Sequence, residues 1–133
     1  MASELRVNTL KDASGNNSIA TSFVAGGSAK AWSHYSGTGT TFNNSLNLSS
    51  AVDNATGDYS ANFSSSFSDA YYSATNGSVE SSSGRGTVLR GNNFSHTTSL
   101  YRHKYGLTTN TAGGGVIDSD INNVQITVHG DLA

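Results

Sequence analysis

The sequence predicts an all-β fold: an antiparallel sandwich or barrel-like domain of short strands, preceded by a short amino-terminal β-hairpin or arm. Three observations predict it. No segment carries an apolar stripe at i, i+3, i+4 and i+7 over three helical turns. Short β-branched and aromatic runs recur at ~8–12-residue spacing between Gly and Asn clusters, as in sandwich domains. Asn123–His129 alternates cleanly, with Val124, Ile126 and Val128 on one face and Gln125, Thr127 and His129 on the other.

The first expected strand is Leu5–Leu10, closed by the polar turn Lys11–Asn17 and followed by a second strand, Ser18–Val24. Gly26-Gly27 breaks the chain, so residues 1–28 read as an arm and 29–133 as the β domain. Ala29–Tyr35 opens that domain. Ser45–Val52 and Tyr59–Phe63 flank Asp53-Asn54-Ala55-Thr56-Gly57-Asp58, a turn by composition, and form the clearest hairpin. Tyr59, Ala61 and Phe63 would share a face with Leu46 and Leu48 opposite. Ala70–Thr75, ended by Asn76-Gly77, then Thr87–Arg90 and Ser99–Leu107, complete the set before the last strand, with Ser81–Gly86 and Thr111–Gly115 as loops.

Composition narrows the function. The 133 residues suit one domain, 35 % are hydrophobic and only 12 % are charged, which is about half the usual charged share. Ser, Thr, Asn and Gly fill about half the chain, yet the net charge of −2 lacks the repulsion that accompanies disorder. So thin a supply of apolar side chains makes an extra buried interface valuable. Pro is absent, so sheet edges have no proline guard, and assembly with identical chains would cover them. A pI near 6.0 gives no electrostatic reason for nucleic-acid or anionic-membrane binding. No apolar run approaches the ~18 residues of a spanning helix, and the start shows no secretory h-region. A soluble, cytoplasmically made product is expected. Cys is absent, so disulfides and thiolate metal sites are excluded.

Chemistry-bearing patterns are sparse. There is no Gly-x-Ser-x-Gly and no Gly-Lys-Ser/Thr loop. Asp118 and Asp120 would share one face of an extended segment, where paired carboxylates bind hard cations or cleave glycosides; capping a turn before the last strand is the plainer role. His34, His96, His103 and His129 have no ligand spacing, and neither catalytic residues, a metal nor a cofactor is expected. Tyr101-Arg102-His103-Lys104-Tyr105 is the single basic patch with aromatic flanks. It suits stacking on sugar rings and pairing with anionic glycans, or an alternating strand with Tyr inward and Arg and Lys outward. Trp32 reads as a core residue.

Two blocks resemble a known group. The first is Leu5-Arg6-Val7-Asn8-Thr9-Leu10-Lys11-Asp12-Ala13-Ser14-Gly15-Asn16-Asn17-Ser18-Ile19 with Gly27-Ser28-Ala29-Lys30-Ala31-Trp32. The second is Gly37-Thr38-Gly39-Thr40, Ser45-Leu46-Asn47-Leu48-Ser49-Ser50 and Asp53 to Phe63. Together they resemble small tail-fibre-like virion structural proteins of tailed phages infecting aquatic bacteria, of the cyanophage and pelagiphage type. The resemblance implies a non-enzymatic short tail-fibre or appendage subunit, assembled as a homotrimer and located in the virion. Leu5, Val7 and Leu10 would dock it onto other virion proteins of the tail or capsid. The second half would meet the host, with Tyr101, Arg102, His103, Lys104 and Tyr105 as candidates for contact with envelope glycan. A capsid decoration protein, either cement or head fibre, is the alternative with the same fold. A glycan-cleaving enzyme and a free-standing lectin are the other classes the composition allows.

Overall fold

The structure is a computed structural model that describes Ser3 and residues 6–79, 86–90, 96–109 and 114–133. It is mostly β, with antiparallel sheets and a short amino-terminal hairpin, consistent with an all-β sandwich. In the arm, β1 (Thr9–Lys11) pairs with β2 (Ser18–Ala20). The Asp12 carboxylate organises their turn, accepting hydrogen bonds from the Ser14 hydroxyl, the Asn16 and Asn17 backbone N–H groups and the Asn17 amide.

The expected strand Ser18–Val24 ends at Ala20, because the chain from Thr21 to Gly27 is the short helix α1. Opposite β2, β1 supplies only three paired residues, Thr9 to Lys11. Thr21 closes that ladder, its N–H reaching the Asn8 carbonyl at 3.0 Å and its hydroxyl the Val7 carbonyl at 3.0 Å, and the helical turn that follows satisfies its backbone groups locally.

Two sheets form the body. One has the order β10-β9-β6-β5, with β8 also paired to β9; the other has the order β4-β3-β11-β7. The strands are β3 (Ala31–Tyr35), β4 (Phe42–Leu46), β5 (Leu48–Ala55), β6 (Asp58–Phe63), β7 (Ser73–Val79), β8 (Thr87–Leu89), β9 (Leu100–Thr108), β10 (Val116–Asp118) and β11 (Asn123–His129). Those three-residue additions β8 and β10 lie along the second half of β9.

The hairpin around Asp53–Asp58 forms as β5–β6, and Leu48 is buried opposite Phe63. Leu46 does not join it. It ends β4, pairs with Trp32 in the other sheet and is 47 % exposed. Asn47 makes the switch with φ +54°, a left-handed turn that breaks the period of two. Its side chain fixes the turn, accepting from the Ser65 N–H at 2.7 Å and donating to the Ser65 carbonyl at 3.1 Å. The strand expected at Ala70–Thr75 begins three residues later and runs through the expected Asn76-Gly77 break, at Ser73–Val79, where all seven residues pair with β11.

The core is aromatic rather than aliphatic. Tyr35, Tyr59, Tyr72, Tyr101, Tyr105, Phe63 and Phe67 are all buried, beside Ile121, Val124, Ile126 and Val128. Tyrosine hydroxyls tie the layers together. Tyr35 of β3 meets His103 of β9 at 2.6 Å, Asn76 of β7 donates to Tyr101 at 2.6 Å, and Tyr105 donates to the Gly77 carbonyl at 3.2 Å. Each bond satisfies a polar atom that would otherwise be costly to bury.

Candidate functional site

Three places carry chemistry: strand β9, the arm and the outer face of the four-stranded sheet. Along β9 the side chains alternate. Tyr101, His103 and Tyr105 point inward and are buried; Arg102 and Lys104 point outward. The three rings therefore lie in the core and cannot stack on a glycan at the surface. The five neighbours are adjacent in sequence but split between two faces, because a strand's side-chain period is two.

Arg102 and Lys104 are held by carboxylates. Arg102 grips Asp58 through two parallel bonds, Nε to Oδ1 at 2.8 Å and Nη2 to Oδ2 at 2.6 Å. Hydrogen bonding from Arg102 holds the Asp58 carboxyl below its usual range. Lys104 lies 2.7 Å from Asp118, which Arg90 also contacts, and the Lys104 hydrogen bond lowers that carboxyl as well. These pairs make the outside of the β9 sheet a closed cross-strand ladder of charge.

The candidate acid pair is separated. Asp118 joins the ladder, whereas Asp120 turns inward and accepts from the Gly57 N–H at 2.7 Å and the Tyr59 hydroxyl at 3.2 Å. That is the turn-capping role, and it ties the β5–β6 turn to the segment before β11. The histidines are also scattered. His34 bonds the Asn123 side chain at 3.1 Å, His96 stacks on Tyr72, and His129 meets the Gly27 carbonyl at 3.1 Å. Among the described residues no three His, Cys, Asp or Glu side chains gather as a metal site.

Among the described residues His103 is the one fully buried titratable base. Its Nε2 meets the Tyr35 hydroxyl, its ring stacks on Tyr101 at 5.1 Å, and Nδ1 lies near the Tyr101 carbonyl outside hydrogen-bond geometry. Burial pushes its pKa down to about 4, so it is a neutral ring at physiological pH.

The arm presents the opposite situation. Val7, Leu10, Ile19, Phe23 and Val24 are 40–73 % exposed, and α1 buries none of its residues. Leu10 and Ile19 pair across β1–β2 and line an open hollow of about 290 Å³ with Lys11, Asp12, Asn17 and Ser18. Leu5, the third docking candidate, lies outside the described residues.

Trp32, expected in the core, is a further residue that the structure places elsewhere. It lies on the outer face of β3, half-buried, while Ala31, Ser33 and Tyr35 fill the inner positions. The signal was available in the alternation of Ala31–Tyr35, since the small Ala31 and Ser33 share a face with the buried Tyr35. No known protein family, curated protein or solved structure compared with this chain matches it.

Proposed function

We propose that this chain is a non-enzymatic structural subunit of a phage particle, a short tail-fibre or appendage protein that assembles as a homotrimer. The arm carries this reading. Five apolar side chains on a hairpin and one helix of seven residues have no core of their own. Apolar surface in such a segment gains most when a neighbour covers it. Val7 and Leu10 are the docking candidates among the described residues, and the exposed Phe23 and Val24 of α1 add to the apolar surface of the arm. Host contact falls to the body, and the buried rings of β9 take no part in it.

The test is location. Antibody raised against the purified chain should label the tail or its vertex attachment on intact particles. Label spread over the head lattice would make it a decoration protein. Particles free of label would overturn the proposal.

A further inference from the structure

The two sheets present unlike outer faces. The β9 sheet carries Asp58, Arg102, Lys104 and Asp118, paired into a ladder. The strands β4, β3, β11 and β7 contain no Lys, Arg, Asp or Glu at all. What their outer positions hold instead is an indole, two imidazoles, amides and hydroxyls, with Leu46 and Val79 at the edges. Trp32 stands opposite Thr127 on β11, which stands opposite Thr75 on β7, making one row across the sheet. The adjacent row is His34, Gln125 and Gly77.

Gly77 keeps this row flat. A Cβ there would come within 3.0 Å of the Gln125 Oε1, so the missing side chain is the space that the Gln125 amide occupies. Gln125 is exposed, and its amide offers both donors and an acceptor. His34 is bonded to the Asn123 amide, which fixes a second amide beside it. Among the described residues, no side-chain hydrogen bond or ring contact engages Trp32.

From this we infer that the outer face of the β4-β3-β11-β7 sheet is a binding surface for neutral glycan. The indole offers a flat apolar plate for the C–H face of a pyranose, with one N–H donor at its edge. Gln125 and Asn123 offer the paired donors and acceptors that adjacent sugar hydroxyls require. The absence of Lys, Arg, Asp and Glu from the four strands favours a neutral polyhydroxyl chain over an acidic one. The exposed apolar residues Leu46 and Val79 lie on the two edge strands, and Leu46, the cross-strand partner of Trp32, widens the apolar plate that the indole offers. The inference goes beyond the particle-docking reading and does not require it, since the face is complete in one chain.

Trp32 is the sole tryptophan, so its fluorescence reports this face alone. The intact chain is titrated with cello-, manno- and galacto-oligosaccharides, and with oligogalacturonate as the acidic comparator. A saturable emission change with at least one neutral oligosaccharide is expected, and none with oligogalacturonate. By calorimetry, Trp32→Ala should abolish that binding. Gln125→Ala, at an exposed position that tolerates truncation, should weaken it about tenfold, in line with loss of an amide's bonds to one sugar. Arg102→Ala, on the opposite face, should leave it unchanged. No saturable change up to about 10 mM of any neutral oligosaccharide would overturn the inference. So would preferred binding of the acidic one, full retention in Gln125→Ala, or a Trp32→Ala chain whose defect is a lower assembly mass with sugar binding intact. A monomeric chain that still binds sugar would defeat the trimer reading alone.

Discussion

His103 makes the stability of this protein depend on pH through one ring. Its folded pKa of about 4 lies below the ordinary histidine value of 6.5, so the unfolded chain takes up the proton first. Stability is therefore complete above about pH 6.5 and falls as pH drops toward 4, by a total on the order of 3 kcal/mol. His96, lowered by partial burial, adds in the same direction. Below about pH 4 the depressed carboxyls of Asp58 and Asp118 extend the loss. Urea unfolding at pH 7 and pH 4.5 should show the decline, and His103→Phe should flatten most of it. That variant also strips the Tyr35 hydroxyl of its partner, costing about 1–3 kcal/mol at every pH, so the slope rather than the level is the readout. An unchanged slope would contradict a buried neutral ring. Gly57 is the other sensitive residue. It has φ +70°, and a Cβ would lie 2.4 Å from the Tyr105 carbonyl and 2.7 Å from the Ser119 carbonyl, both backbone. Gly57→Ala should cost more than about 2 kcal/mol in thermal or chemical unfolding, because neither the backbone angle nor the neighbours can yield cheaply.

At the level of elements, what was legible in the sequence was what obeys a period of two within one sheet. Asn123–His129 forms with the bounds its alternation announces, and Tyr59–Phe63 sits within β6 with its three apolar residues inward. Three features escaped for identifiable reasons. The helix Thr21–Gly27 is too short, at seven residues, to show the three-turn apolar stripe by which a helix is read from sequence. Leu46 and Leu48 look like neighbours on one face until Asn47 turns left-handed and sends them to different sheets. Val116–Asp118 has only three residues and becomes a strand through pairing with β9. Asn47→Ala tests the second point. It removes two hydrogen bonds and places a residue poorly suited to φ +54° at the switch, so a loss of about 1–3 kcal/mol in a denaturant titration is expected. A neutral result would mean that the sheet switch does not depend on this side chain.

For the whole molecule, the candidate site was less legible than the fold. Tyr101 to Tyr105 reads as a patch in sequence and divides between core and surface in space, whereas the Trp32 face is assembled from four strands whose order no local pattern reveals. The short amino-terminal hairpin, by contrast, was legible in the polar turn between two short β segments, whereas the exposure of its apolar residues was not. The central claim is that the chain assembles with sister copies, the arm being left to dock on the particle. The mass of the purified chain in solution, measured by light scattering during size exclusion with and without residues 1–28, tests it most directly. Three times the 13.7 kDa chain mass is predicted for the intact protein, and a trimer again once the docking arm is removed. A folded intact chain that stays monomeric across the concentration range would contradict the account.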